Sequence, residues 1–278
     1  MPSDEHSGQC RNCGTTLKGD FCHVCGQSSK LIRRPTLEIL KEAVSHILHL
    51  DSKLFLTLKL LLFRPGRLAL DWTEGKRARY VPPFRLYIIA SFFLFLLVSF
   101  ANRDVEMEVA QFHADEEEIQ ALQTELNNAR ESNDWLTAVF LQGAVQAIED
   151  PAEYNRKMIK NLPKAAFLLL PVFALIHMLI NIRQKRFYVD YLVYSLNFHS
   201  FSFALLSVNM VILFLIPQIS FISVILYLPI PAYAAIGFRT FHNQGWLKSI
   251  IKAFLALGIY CICLLFSLAL FFALVLFL

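Results

Sequence analysis

Apolar residues divide the chain near residue 84, because almost all of the long apolar runs follow that point. Each run approaches the roughly 20 residues that a helix needs to cross about 30 Å of hydrocarbon. We therefore expect an all-α polytopic membrane protein with about five transmembrane helices, at residues 84–101, 165–182, 192–216, 218–237 and 250–278. The composition agrees, since 17% of the residues are charged, against about 25% in soluble domains.

Prolines interrupt this pattern in two ways. Ile216-Pro217-Gln218 is all that separates the third span from the fourth, which predicts a very tight turn and leaves their boundary poorly defined. Pro171, Pro229 and Pro231 fall inside predicted spans, where a kink is tolerated if the freed carbonyl groups find partners.

Residues 28–83 are amphipathic rather than continuously apolar. Residues 28–35 are typical of a linker, and apolar residues repeating on one face predict a helix over 36–50. A second helix over 52–63, capped by Asp51, is too short to span and contains Lys59. We expect it to lie at the interface or to pack on the bundle, and to end at Pro65-Gly66.

Residues 102–164 form a long polar insertion with thirteen acidic and six basic residues. Apolar residues spaced by three or four predict two helices, the second over 134–149 with Asn133 or Asp134 as its cap. We expect a helical hairpin over the outer face of the bundle. The run Asp115–Glu118 could bind divalent cations, but it lacks the glycine and the turn of a calcium loop, so a solvated helix face is the favoured interpretation.

A basic stretch, which we call the collar, occupies residues 64–87, just before the first span. The loops near Arg183 and Arg239 are also basic, whereas the turn at Pro217 has no Lys or Arg. Because Lys and Arg favour the cytoplasmic side, we expect a cytoplasmic N-terminus, an external C-terminus at Leu278 and an external 102–164 loop. The first ten residues hold no apolar stretch, so no signal peptide is expected. The collar cations are Arg64, Arg67, Lys76, Arg77, Arg79 and Arg85.

Four residues of the collar are candidates for contact with the membrane surface or a partner: Lys76, Arg77, Arg79 and Tyr80. The three cations suit phosphate headgroups or an acidic protein surface, and the tyrosine suits an interfacial aromatic anchor. Gly75, just before them, can supply an unusual backbone turn.

Four of the six cysteines form two CxxCG turns, Cys10-Arg-Asn-Cys13-Gly14 and Cys22-His-Val-Cys25-Gly26. Paired turns of this kind supply the four ligands of tetrahedral zinc, and the glycines allow left-handed turns that aim N–H groups at the sulfurs. We predict one structural zinc ion bound by Cys10, Cys13, Cys22 and Cys25. The metal must supply the folding energy of so short a segment.

Two alternatives to this zinc site remain. The four cysteines could form disulfides or stay free, although a reducing cytoplasm argues against disulfides. His23 could replace a cysteine ligand, although its place inside the second turn favours an exposed position.

A further metal site could use Glu42, His46 and His49, but two histidines on a helix surface is the simpler interpretation.

A few polar residues lie within the predicted spans, and His177, Asn181 and His199 form a possible intramembrane polar site. Such residues also serve as interhelical hydrogen-bonding groups. No Asp, Glu, Lys or Arg lies in the middle of a span, apart from Lys252 near the start of the fifth, and no glycine-rich broken helix is evident, so hydrogen bonding between helices is favoured over a transport path. Cys261 and Cys263 are expected to pack as small apolar residues.

The segment RPTLEILKEAVSHILHLDSKLFLTLKLLLFRPG, followed by GKRARYVPPFRLY and preceded by FCHVCGQ, resembles the bacterial domain-of-unknown-function family 3667. The resemblance covers residues 10–95. It implies a zinc-ribbon protein of the bacterial inner membrane, and it implies neither an activity nor any catalytic residue.

The domain organisation that follows is a zinc ribbon at 1–27, a linker with amphipathic helices and the collar at 28–83, and a five-span bundle at 84–278. No phosphate loop, HExxH or GxSxG motif occurs, so we expect no enzyme activity and no catalytic residues.

The favoured function is a scaffold or regulator that binds a protein partner at the cytoplasmic face. A small transporter or lipid-handling channel is the alternative. Nucleic-acid binding is permitted by Lys18, Lys30, Arg33 and Arg34 but lacks an aromatic stacking platform.

Overall fold

The computed structural model describes residues 8–29, 52–109, 116–216, 218 and 224–274. Within these ranges the regular elements are helical, which confirms the all-α prediction; two isolated β-bridges, Gln9–Thr16 and Phe21–Ser28, lie in the cysteine segment. The predicted helix over 36–50 lies outside the described residues, together with Glu42, His46 and His49. The helices are α1 (Ser52–Phe63), α2 (Arg67–Thr73), α3 (Pro83–Val109), α4 (Glu116–Glu131), α5 (Trp135–Glu149), α6 (Pro151–Ile180), α7 (Tyr188–Leu215), α8 (Pro229–His242) and α9 (Trp246–Leu274).

Four of these helices are long and apolar enough to cross a membrane: α3 over Pro83–Ala101, α6, α7, and α9 over Trp246–Phe271. They correspond to the first, second, third and fifth predicted spans, and they make the chain an integral membrane protein. Two predicted boundaries were too narrow. Helix α3 continues to Val109 and α6 already begins at Pro151, because Asp150 caps α6 and Pro151 suits its first position.

The fourth predicted span, 218–237, differs from the other four. Its helix, α8, has 14 residues and is preceded by a short 3₁₀ turn at Val224–Tyr227. A helix of 14 residues rises only about 21 Å, which is less than the thickness of the hydrocarbon core. Pro229 and Pro231 therefore do not kink a long span; Pro229 starts α8, where a missing N–H costs nothing.

The chain nevertheless reverses direction at α8. Tyr191, near the start of α7, contacts Phe241 near the end of α8, while Phe201, further along α7, stacks on Tyr233. Helix α8 therefore runs antiparallel to α7. Its last residue, His242, meets His177 near the end of α6. We call this end of the bundle the collar end, because the collar lies beside it. It consists of the end of α6, the start of α7, the end of α8 and the start of α9.

The core lies where α6, α7, α8 and α9 meet, and the collar packs into it. Phe173, Phe238, Phe241 and Ala253 are fully buried there. Leu61 of α1 and Leu68 of α2 join the same cluster, while Phe55 and Phe63 on the other face of α1 are 78% and 77% exposed. Helix α1 is thus packed on the bundle with an apolar outer face, which is one of the two arrangements that the sequence leaves open.

The polar insertion folds as the predicted hairpin of helices α4 and α5. The amide of Gln123 donates to Glu149 across the pair, and Arg130 donates to Gln142. Asp134 is the cap of α5, since its carboxylate accepts from the N–H of Thr137. The hairpin rests on the far end of the bundle, where Ala147 packs against Tyr154 and Phe271.

Candidate functional site

The four N-terminal cysteines converge on one point. Their sulfur atoms all lie within 4.8 Å of one another, with 3.5 Å between Cys10 and Cys25 and 3.5 Å between Cys13 and Cys22. These separations exceed a disulfide bond, about 2.05 Å, and are close to the spacing of about 3.8 Å that four sulfurs at 2.3 Å from a tetrahedral ion would have. The cluster can therefore hold one metal ion, as predicted.

Local backbone geometry prepares these sulfurs for a metal. Gly14 and Gly26 adopt φ angles of 79° and 72°, a conformation that glycine accepts without cost. Burial raises the pKa of the Cys10 thiol to about 11, although N–H groups of its own turn oppose the rise. The hydroxyl and N–H of Thr15 lower the pKa of Cys13 to about 6. Donors of this kind stabilise thiolate ligands.

The ribbon, residues 8–29, is hydrogen-bonded to the collar through the side chain of Gln27. The amide nitrogen of Gln27 donates to the carbonyl oxygen of Gly75 over 2.7 Å. Its amide oxygen accepts from the N–H groups of Arg77 and Ala78, both at 3.1 Å. All three contacts engage backbone groups, so they recognise the shape of the collar turn and not its side chains.

Gly75 makes this attachment possible. Its φ of 92° is open to glycine and strained for other residues, which confirms the predicted turn. A Cβ atom at this position would lie 3.3 Å from Cδ of Arg11 in the ribbon, so the two segments also touch side by side.

Asp71 organises the collar. Its buried carboxylate accepts from the hydroxyl of Tyr80 over 2.8 Å and from the ammonium of Lys76 over 3.0 Å, and it pairs with Arg67 at 2.9 Å. Burial raises the pKa of Asp71, but the hydrogen bonds from Tyr80 and Lys76 and the charge of Arg67 lower it overall. The carboxylate is thus held ionised as the centre of a structural network.

The predicted surface contacts of the collar divide into two groups. Tyr80 is only 5% exposed and Lys76 is engaged with Asp71 and Glu74, so both hold the collar together. The expectation that Tyr80 is an interfacial anchor is wrong, because its hydroxyl donates to the buried carboxylate of Asp71. Arg77 and Arg79 are exposed and remain available; their guanidinium groups lie over the rings of Trp72 and Tyr80.

Thr57 fixes the collar to α1. Its hydroxyl donates to the carbonyl of Lys53 and accepts from the N–H of Val81 at 3.0 Å, and the side chain is fully buried. The N–H of Val81 lies just before α3 and would otherwise be an unpaired buried donor. One threonine thereby links the apolar helix α1 to the entry of the first span.

Two of the three predicted intramembrane polar residues belong to one cluster at the collar end. Nε2 of His177 lies 2.8 Å from Nε2 of His242, and Nδ1 of His242 lies 2.7 Å from the amide oxygen of Gln184. Since that oxygen can only accept, His242 carries its proton on Nδ1 and accepts from His177 through Nε2. The amide of Asn181 donates to the carbonyl of His177. Lys252 donates to Asn181 over 2.6 Å.

His199 lies apart from this cluster. Its Nε2 is 2.8 Å from the hydroxyl of Tyr260, and its Nδ1 is 2.8 Å from the carbonyl of Ser195. The fully buried ring of Phe173 contacts both His199 and His177, with centroid distances of 5.3 Å and 6.3 Å. An aromatic side chain therefore fills the space beside both histidines.

The roles of several residues could not be predicted from the sequence, because each role depends on a partner far along the chain. Gln27, Thr57 and Asp71 belong to no recognisable sequence motif, and His242 falls beyond the predicted fourth span. His23 is exposed, as expected. Cys263 packs partly against the core, whereas Cys261 is exposed on the outer face of α9.

Residues 51–95 match the model of the family described as "Protein of unknown function (DUF3667)", which confirms the resemblance seen in the sequence. The matched stretch contains α1, α2, the collar and the first part of α3, and it does not include the cysteines. It therefore coincides with the unit that Thr57 and Asp71 hold together. No curated protein and no solved structure matches the chain.

Proposed function

We propose that this protein, in which residues 51–95 match the DUF3667 family model, is a non-enzymatic scaffold or regulator of the bacterial inner membrane. Its ribbon would bind a cytoplasmic protein while the collar holds the ribbon at the membrane surface. The observation that carries the proposal is the attachment of the ribbon by Gln27. A module fixed in this way presents one face to the collar and the other to solvent.

The solvent face of the ribbon has the character of a protein-binding surface. Phe21 is 68% exposed and Val24 is 63% exposed, and His23 between them is also exposed. Exposed aromatic and apolar side chains on a rigid support are typical anchors of protein interfaces. The ribbon's own folding does not need these side chains, because the buried part of the module is its cysteine cluster.

We propose that the bound metal is zinc. Four thiolates arranged tetrahedrally favour zinc or iron among the common metals, and four protein ligands leave no position for a substrate. Such a site supplies folding energy and not chemistry. The closed ligand set is one reason to propose a role without catalysis.

The proposed orientation places the collar end in the cytoplasm. Exposed Arg77, Arg79, Arg183 and Lys185 gather there, and basic residues favour the cytoplasmic side of a membrane. The acidic hairpin of α4 and α5 lies at the opposite end. Labelling of a Glu117→Cys variant by a membrane-impermeant maleimide should succeed from outside, and labelling of Ser28→Cys should fail.

A transporter or lipid-handling channel is less well supported. That function would need a polar path that joins His177 and His199, and the buried ring of Phe173 packs against both. Both histidines have hydrogen-bonding partners on neighbouring helices, as expected for groups that hold helices together.

Photo-crosslinking in cells tests the proposed function. A photoreactive amino acid replaces Val24 in one variant, Phe21 in a second and Lys18, as the control, in a third. We expect a discrete protein adduct from positions 21 and 24, little from position 18, and loss of the adduct when Cys10→Ser is added. Equal adducts at all three positions, or adducts that persist after Cys10→Ser, would show that the ribbon does not bind a specific partner through this face.

A further inference from the structure

Lys252 is the most unusual cation in the described part of the bundle. It lies six residues into α9, about 9 Å along the helix from Trp246, and its neighbours Ile251 and Phe254 are 58% and 60% exposed on the apolar surface. The ammonium nevertheless turns inward, where it donates to the amide oxygen of Asn181 over 2.6 Å. An ammonium at this depth is costly without a negative partner, and Asn181 is neutral.

The position of Asn181 is fixed from the protein side. The residue is 1% exposed, its amide nitrogen donates to the carbonyl of His177, and its own carbonyl accepts from the hydroxyl of Tyr191. The amide oxygen therefore faces Lys252 because the rest of the side chain has no freedom. This leaves two further N–H groups of the ammonium without an acceptor among the described residues.

The charges around Lys252 are also positive. Lys248, one turn earlier on α9, and Arg183, in the loop after α6, both repel it. Arg186 adds a fourth positive charge at the same end of the bundle, where it interacts electrostatically with His177 and His242. Asp190, a carboxylate at the same end of the bundle, accepts from the N–H of Phe187 and caps α7. None of the described ion pairs involves Lys252 or Lys248.

A second, independent observation lies in the turn between α8 and α9. Gln244 has both atoms of its side-chain amide buried without a hydrogen-bonding partner in the described structure. It precedes Lys248 by one turn, just before the N-terminus of α9. An unpaired buried amide is uncommon in proteins. An acceptor oxygen of a ligand would satisfy the N–H₂ group of Gln244, whereas its amide oxygen, which only accepts, needs a separate donor.

We propose that the collar end of α6 and α9 binds a phosphate group between Arg183, Lys248 and Lys252. A phosphate supplies the negative charge and the acceptor oxygens that these three cations lack, and one such oxygen would also pair with the N–H₂ group of Gln244. Two sources share this chemistry: the headgroup of an anionic phospholipid and a free phosphate ion. The site is separate from the ribbon and does not depend on the ribbon's partner.

Native mass spectrometry of the full-length protein, purified in detergent, tests this site. The probes are short-chain phosphatidylglycerol, phosphatidylcholine with the same acyl chains, and inorganic phosphate. We expect phosphatidylglycerol to bind in preference to phosphatidylcholine. Its apparent affinity should fall about tenfold, the effect of losing one charged contact, in Lys252→Met and in Arg183→Gln. Lys160→Met, in the first half of α6 and away from the collar end, is the matched control and should bind like the wild type.

Each outcome decides the proposal. Binding of phosphatidylglycerol that depends on Lys252 and Arg183 supports a lipid headgroup as the ligand, and inorganic phosphate with the same dependence supports a free ion in the same site. Wild-type binding in both site variants would overturn the proposal. An equal loss in Lys160→Met would also overturn it, since the effect would then report overall charge. Arg183 is exposed, so its variant keeps the test valid if Lys252→Met folds poorly.

Discussion

The side-chain amide of Gln27 donates to the carbonyl oxygen of Gly75, 48 residues along the chain, over 2.7 Å. This contact joins a metal-binding module to a membrane protein without any side-chain pairing on the collar. It explains why a glutamine follows the second CxxCG turn, since a shorter Asn would not reach and an acid could not donate to Gly75.

Replacement of Gln27 by Ala should release the ribbon and leave its metal in place. The variant loses three hydrogen bonds, each worth about 1 kcal/mol, whereas the cysteine cluster is untouched. Limited proteolysis of the purified protein should then cut between the ribbon and the collar faster than in the wild type. Gln9→Ala, an exposed glutamine on the same module, is the control and should be cut at the wild-type rate.

Metal analysis should find one equivalent of zinc per chain. Cys10→Ser should lose the metal and unfold the ribbon alone, because the ion is the core of that module, while the thermal unfolding of the helical bundle stays within a few degrees of the wild type. Iron in place of zinc would refute the proposed metal, and zinc retained after substitution of both Cys10 and Cys22 would refute the assigned ligands.

Asp71 should make the stability of the collar depend on pH. Because its pKa is lowered in the folded protein from the ordinary value of 3.8, its contribution is complete above that value and is lost as the pH falls through the lower folded-state pKa. Asp71→Asn should lower the free energy of unfolding by about 2 kcal/mol at neutral pH, the scale of a hydrogen bond to a charged group.

Thermal unfolding measured from neutral to acidic pH checks this expectation. The difference between wild type and Asp71→Asn should shrink on acidification, and loss of the metal at low pH affects both proteins alike. Glu117→Gln, which removes an exposed carboxylate, is the control for general charge effects. A difference that stays constant with pH would mean that the carboxylate of Asp71 is not ionised in the folded protein.

Gly66 and Gly237 allow the collar to approach α8 closely. A Cβ atom on Gly66, whose φ is 77°, would lie 2.6 Å from the carbonyl oxygen of Gly237, and a Cβ atom on Gly237 would overlap the hydroxyl of Tyr194. Gly237→Ala should therefore destabilise the protein by about 2 kcal/mol through overpacking. Gly258→Ala, with open space around it, should have little effect.

A second substitution identifies the cause of that loss. Tyr194→Phe removes the overlapping hydroxyl and leaves ring atoms whose nearest approach is 3.2 Å, and the hydrogen bond it sacrifices is long, at 3.5 Å. The pair Tyr194→Phe and Gly237→Ala should recover most of the stability that Gly237→Ala alone loses in thermal unfolding. Additive losses would place the strain elsewhere.

The sequence predicts the elements whose causes are local. Neighbouring residues alone predict the metal cluster of the four cysteines, an unusual turn at Gly75 and a cap at Asn133 or Asp134, of which the structure has Asp134. The apolar runs of four spans also follow, because length and composition decide whether a helix can cross a membrane. The fourth run is also apolar and is therefore expected from the sequence to span the membrane. Pro229 instead begins a shorter helix there, and only the packing of α8 against α7 reveals this.

The roles of the collar residues could not be predicted in the same way. Tyr80 is aromatic and lies beside the membrane, so its sequence context suggests an anchor. Its hydroxyl instead meets Asp71, nine residues earlier, in the interior. Gln27 and His242 depend on partners about 50 and 65 residues away, and no local pattern encodes such distances.

The most direct test of the central claim, that the ribbon is fixed on the collar, is a disulfide trap in the full-length protein. A Cβ atom on Gly75 would lie 3.8 Å from Cβ of Arg11, which matches the usual spacing of about 3.8 Å in a disulfide. The left-handed turn at Gly75 costs a cysteine about 1–2 kcal/mol, so mild oxidation should still close the bond. We predict that Arg11→Cys with Gly75→Cys forms the cross-link in zinc-loaded protein, and that Gly19→Cys with Gly75→Cys does not. Absence of the cross-link, or equal cross-linking from position 19, would contradict the account.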